Sequence, residues 1–152
     1  VPARGAGLAR RRRHAGCLPR RRGGAGLSRT DRVARGAQAH ARGTRAEAFA
    51  AALLEAEGWT ILDRRARTDA GELDLVAERE GLLAFIEVKA RATLGSAAES
   101  VSTRQQARLL AAADCWLAQH APHGAAGIRF DLILVDRQGR ARRITDAFRE
   151  SN

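Results

Sequence analysis

Lysine is almost absent from this chain: one lysine stands against 26 arginines. A bias of that strength admits arginine wherever positive charge alone is needed. The exception, Lys89, lies in the polar part of an otherwise apolar pair of strands. A compact ammonium fits beside a bound water where a broad guanidinium does not, so its use here points to a chemical role. Cysteine is scarce too. Cys17 and Cys115 have neither metal-ligand spacing nor a disulfide framework, which makes a reduced, cytoplasmic setting the expectation. The histidines, at 14, 40, 120 and 123, form no zinc pattern. No apolar run approaches the roughly 20 residues that span a membrane, so no membrane partner is expected. Aromatic residues make up 4% of the chain, which leaves little for stacking on bases.

Acidic residues are missing from one region in particular. Residues 1–46 carry 13 arginines and a single acid, Asp31, whereas residues 47–152 carry 14 basic and 16 acidic residues. The overall charge of +10 therefore belongs to the N-terminal third, and the remainder is close to neutral. Residues 1–43 are rich in Arg, Gly and Ala, with arginine runs at 10–13 and 20–22 and no steady helical or strand period. They read as a disordered basic arm. A nucleic-acid-binding arm, an organelle transit segment and a start placed too far upstream are the alternatives for it. A domain at residues 44–152 follows, long enough to bury a core.

Thr44-Arg45-Ala46-Glu47 has the pattern of a capping box, and Phe49, Ala52, Leu53 and Ala56 continue with helical spacing up to Gly58. A strand is expected over Trp59–Arg67, then a turn at Thr68–Gly71. The small and polar stretch 92–100 reads as a loop. A second helix is predicted from about Thr103 to His120, capped by Ser102 or Thr103, with Leu109, Leu110, Ala113, Trp116 and Leu117 as its apolar stripe. Ile128–Val135 is apolar on both faces beyond Asp131 and predicts a central strand. Arg142–Phe148 closes the chain. The order is α, β, β, β, α, β: an α/β fold with a mixed sheet flanked by helices.

Residues 71–91 carry the chemistry. Two strands alternate apolar and charged residues, so Glu72 and Asp74 share a face and so do Glu87 and Lys89, about 6.5–7 Å apart. A two-residue loop at Glu80-Gly81 sets Asp74 opposite Glu87; a four-residue loop from Glu78 sets Glu72 opposite Glu87. In either register the charges fall on one face. Carboxylates and an ammonium in an apolar hairpin need compensation, and a divalent cation is the natural candidate.

The spacing of GELD and EVK resembles that of the PD-(D/E)xK phosphodiesterases, and more closely that of the YraN-like family of predicted endonucleases. The motifs here are Glu47, Gly71-Glu72-Leu73-Asp74-Leu75, Phe85-Ile86-Glu87-Val88-Lys89, Gln105-Gln106 and Arg129-Phe130-Asp131. The match covers about Thr44 to Phe148. Gln105 departs from it, since lysine is frequent at that position. The resemblance implies a restriction-endonuclease-like αβββαβ core that binds Mg²⁺ or Mn²⁺ and hydrolyses phosphodiester bonds in nucleic acid, with DNA the expected substrate. Asp74 and Glu87 would be metal ligands, with the Val88 carbonyl a third and Glu47 reaching the ion directly or through water. Lys89 would orient or help deprotonate the attacking water. A non-catalytic nucleic-acid-binding module that keeps the fold is the alternative. A homodimer would help so small a domain embrace a duplex. Plainer roles are also available: helix capping for Glu47, solvent exposure for Glu72, the first helical turn for Gln105 and Gln106, and a structural tie to Arg129 for Asp131.

Overall fold

The computed structural model describes residues 28–95 and 101–149. Helix α1 (Arg29–Ala56) starts at a reciprocal cap. The Ser28 hydroxyl accepts from the Asp31 amide at 3.1 Å, and the Asp31 carboxylate accepts from the Ser28 amide at 3.2 Å. The cap expected at Thr44 is therefore not one. Thr44 is inside the helix, and its hydroxyl donates to the carbonyl of His40, four residues earlier. The disordered-arm expectation likewise fails for residues 29–43, which are helical; residues 1–27 lie outside the described residues. The physical reason is simple. Arginine and alanine are strong helix formers, and this half of α1 lies almost wholly in solvent. Apolar periodicity reports a buried face, and there is none here to report.

The second half of α1 is seated on the sheet by three buried alanines, Ala46, Ala50 and Ala51, and the fully buried Leu54. After Gly58, at φ +87°, Trp59 donates its amide to the Leu54 carbonyl and turns the chain into the sheet. The guanidiniums of Arg79, Arg129 and Arg143 pack over the Trp59 ring at 4.9, 5.1 and 5.0 Å.

Strands β1 (Thr60–Thr68), β2 (Gly71–Arg79), β3 (Leu82–Ala90), β4 (Gly127–Val135) and β5 (Ala141–Phe148) lie in that order across one sheet. All neighbours are antiparallel except β3 and β4, which are parallel and are joined through α2 (Thr103–Gln119). The mixed sheet and its central β4 match the sequence expectation; the closing segment is a fifth strand, at the edge. Helix α2 is capped by Ser102 and buries Leu109, Ala112, Ala113 and Trp116. The Trp116 ring meets Phe85 of β3 edge-on, with centroids 5.8 Å apart. The two helices thus divide the core between the two faces of the sheet. Of the loop expected over 92–100, residues 92–95 are irregular and 96–100 lie outside the described residues. Among the described residues no helix is long and apolar enough to cross a membrane.

Candidate functional site

The β2–β3 hairpin closes through Glu80 and Gly81, both at positive φ (+52° and +77°), as a two-residue turn of the I′ type requires. Of the two registers open from the sequence, this is the shorter loop. Arg79 pairs with Leu82 and the ladder runs back to Leu75 opposite Ile86, where it stops. One step further, Asp74 faces the Glu87 end of β3.

Something breaks at that step. Leu75 and Ala77 pack on the α1 side, yet Leu73 packs on the α2 side, although alternate strand residues share a face. The adjacent strand breaks with it. Arg64 pairs with Leu75 and Ala66 with Leu73, and between them Arg65 sits at φ +51°, in the left-handed region that a residue with a Cβ seldom enters. Strands β1 and β2 exchange faces together at Arg65 and Asp74. Asp74 is consequently turned toward the edge of β3, where its Oδ2 accepts the Val88 amide hydrogen at 2.8 Å.

Glu87 is nearly buried, at 7% side-chain exposure, and faces the α2 side. Its Oε1 accepts from two donors, Lys89 Nζ at 2.8 Å and Gln105 Nε2 at 2.8 Å. The Asp74 and Glu87 carboxyls lie close enough to share a hydrogen bond. Burial, and then the charge of Glu87, push the Asp74 carboxyl up to about 7, against the opposing pull of the Val88 amide. Val88 is buried, and its N–H points to the β2 side. The N–H and C=O of a strand residue face the same edge, so its carbonyl opens where the ladder has ended.

Glu47 approaches from α1. Burial raises its pKa, while the guanidinium of Arg65, 3.6 Å away, lowers it. Glu72 is held outside by Arg65 at 3.4 Å and Arg67 at 3.6 Å. Among the described residues, no group of three or more His, Cys, Asp or Glu side chains is drawn tightly enough to hold a metal ion as it stands. The closely gathered set is Asp74, Glu87, Lys89 and Gln105. Asp131 is structural, as expected: fully buried, it accepts from Arg129, from Arg143 and from the Asp146 amide.

Gln105 is more than a first-turn residue. Its amide donates to the Ser102 hydroxyl at 3.2 Å, but its side chain reaches across to Glu87. The pattern Ser102-x-x-Gln105 has the form of a capping box, in which the glutamine would return to its own cap. Only the placement of α2 over the end of β3 reveals the other partner.

The model of the "Uncharacterised protein family UPF0102" matches residues 46–135, from the seat of α1 to the end of β4. A UPF0102 protein of Granulibacter bethesdensis is 56% identical over 118 residues, covering 78% of this chain and 75% of that protein. One from Azorhizobium caulinodans is 54% identical over 110 residues, 72% of this chain and 84% of the relative. One from Rhodopseudomonas palustris is 48% identical over 106 residues, 70% and 82% of the two chains. The matched span contains the whole Asp74–Glu87–Lys89–Gln105 arrangement together with Glu47, and on that basis the chain belongs to the UPF0102 family.

Proposed function

We propose that this protein is a metal-dependent phosphodiesterase that cleaves nucleic acid, with DNA the expected substrate. The observation that carries this is the meeting of Asp74, Glu87 and Lys89 where β2 and β3 part. The order of helices and strands around them, and the motif spacing, resemble those of the PD-(D/E)xK phosphodiesterases and their YraN-like members.

The donor set suits a hard divalent cation. Burial, and then the neighbouring Glu87 carboxylate, oppose the ionisation of Asp74, a charge that a bound cation would compensate, and the remaining donors are oxygens. Asp74, Glu87 and the Val88 carbonyl would hold Mg²⁺ or Mn²⁺, with Glu47 joining through water. Such an ion supplies Lewis-acid polarisation of a phosphoryl oxygen and neutralises charge on the departing one. Lys89 Nζ, tethered to Glu87, is placed to orient the attacking water and assist the loss of its proton. Gln105 holds the same Glu87 oxygen from the other helix and so limits its rotamers.

A non-cleaving nucleic-acid-binding module is favoured by one observation: Arg65 engages Glu47 while Gln105 stands where lysine is frequent in the proteins it resembles. Labelled single-stranded, duplex, flap and four-way-junction DNA, offered with Mg²⁺ or Mn²⁺, separates the two. Cleavage that disappears in Lys89→Ala supports the enzyme. Equal trace cleavage by both proteins assigns the activity to a contaminant and leaves the site to the binding module.

A further inference from the structure

Seven arginines of the described residues, at 64, 65, 67, 129, 140, 143 and 149, form salt bridges with acids. Four others converge without one. Arg42 and Arg45 of α1, Arg91 just past β3, and Arg137 in the β4–β5 turn line a groove of about 580 Å³. Among the described residues, none of the four is in a salt bridge. The single acid in the wall, Asp136, is buried and already committed: it accepts from the Arg140 guanidinium at 2.7 Å and from the amides of Gln138 and Arg140. Guanidiniums crowded together with no acid of their own repel one another and recruit anions from outside.

We propose that this groove is the track on which the sugar–phosphate backbone of nucleic acid is held as it approaches the Asp74–Glu87–Lys89 site. The direction of travel, though not the binding itself, rests on the phosphodiesterase reading above. Two groove residues, Ala46 and Ala90, are chain neighbours of Glu47 and Lys89, so one end of the groove lies beside Glu47 on the α1 side of the sheet, across the end of β3 from Glu87 and Lys89 on the α2 side. The Arg91 amide donates to the Val135 carbonyl, which fixes that rim to the sheet.

The groove is not purely basic. Phe49, 39% exposed, is in its wall and lies seven residues beyond Arg42, two turns along the same face of α1. Arg35 stands seven residues before Arg42, about 10 Å further along the helix at 1.5 Å per residue. The helix therefore presents a guanidinium, a second guanidinium and a flat apolar ring in line. Guanidinium forks match phosphate oxygens, and an exposed ring offers a stacking surface to a base or sugar. An acidic protein surface would use the charges but has no need of the ring, which favours nucleic acid.

The test is fluorescence anisotropy of the full chain on a 20-base-pair duplex and on one of its strands. Titrations run in EDTA across a salt series, so neither metal nor cleavage enters. The set Arg42→Ala/Arg45→Ala/Arg91→Ala/Arg137→Ala should lower the slope of log affinity against log salt by about 3 to 4 on duplex, at about 0.9 per lost contact. Arg64→Ala/Arg67→Ala/Arg149→Ala, drawn from the paired arginines, should keep the wild-type slope. Phe49→Ala should weaken single-strand binding by about tenfold while leaving the salt slope alone. The proposal is overturned if the four-arginine variant, matching wild type in circular dichroism and melting, keeps the wild-type slope. It is also overturned if those arginines govern binding to phosphatidylglycerol vesicles but not to duplex. Groove-dependent binding by a protein that cuts nothing with Mg²⁺ or Mn²⁺ would uphold the track and sink the phosphodiesterase. Cleavage by a wild type whose salt slope ignores the four arginines would do the reverse.

Discussion

Asp74 accepts the Val88 amide hydrogen at 2.8 Å in the first position where β2 and β3 no longer pair backbone to backbone. A side chain has taken the place of a ladder carbonyl. The hydrogen bond satisfies a buried N–H, and in doing so it holds a carboxyl against Glu87 in surroundings that disfavour its charge.

Stability should respond to pH accordingly. A carboxyl whose pKa is raised by folding stabilises the folded state most below its unfolded value, and that contribution is lost as pH rises through the folded value. For Asp74 the loss begins above the ordinary value near 4 and is complete once pH has passed about 7. Asp74→Asn retains an oxygen for the Val88 amide and carries no charge. In EDTA its melting temperature should exceed that of wild type at pH 8 by several degrees and equal it at pH 4. A gap that is the same at both pH values would contradict the shifted carboxyl. Added Mg²⁺ should raise the melting temperature of wild type and leave Asp74→Asn nearly unmoved.

Lys89 and its carboxylate neighbours should fail in different ways. Lys89→Ala is expected to lose on the order of 10²–10⁴ in metal-dependent cleavage while binding Mn²⁺ nearly as wild type does. Glu87→Ala and Asp74→Ala should lose both cleavage and Mn²⁺ affinity. Lys89→Arg should not restore activity, because a guanidinium has neither the shape nor the mobile protons of an ammonium. Calorimetric Mn²⁺ titration beside the cleavage assay checks the distinction. Unfolding of Lys89→Ala would instead mark the lysine as one half of a structural pair.

Gln105 offers a milder lesion. Gln105→Ala removes one of the two donors on Glu87 Oε1 and should lower kcat by about tenfold, on the scale of about 1–1.5 kcal/mol for one hydrogen bond, with KM little changed. Gln105→Lys should retain activity, since an ammonium can donate to the same oxygen. An alanine variant as active as wild type would reduce the contact to packing.

The backbone at Arg65 makes a separate prediction. At φ +51°, alanine suffers the Cβ clash that glycine avoids. Both substitutions delete the ion pairs to Glu47 and Glu72, so their difference isolates the backbone. Arg65→Gly should be more stable than Arg65→Ala by about 1 kcal/mol in urea denaturation. The reverse order would mean that β1 relaxes out of the left-handed conformation once the arginine is gone.

Much of this arrangement is legible in the sequence alone. The Glu80-Gly81 turn and the alternation back as far as Leu75 bring Asp74 opposite Glu87, and the Ser102 cap with its apolar stripe marks α2. Other parts were hidden for definite reasons. The first half of α1 buries nothing, so no period betrays it. The exchange of faces at Arg65 and Asp74 is a property of two strands together, and neither strand alone has an unusual sequence. Gln105 and the arginines at 42, 45, 91 and 137 owe their meeting to tertiary placement, which residue spacing does not encode.

The two-residue turn at Glu80-Gly81 also sets an order of events in time. Partners across β2 and β3 begin three residues apart, at Arg79 and Leu82, whereas partners across β3 and β4 are 45 apart, as in Ile86 and Asp131. Loop closure costs less for local pairings than for distant ones, so the expectation is that the hairpin forms in the folding nucleus and the parallel strand docks onto it afterwards. Asp74 and Glu87 are then forced together at the barrier itself. The burial of Asp74 beside the charge of Glu87 should accordingly retard refolding as pH rises through about 7, while the unfolding rate changes little.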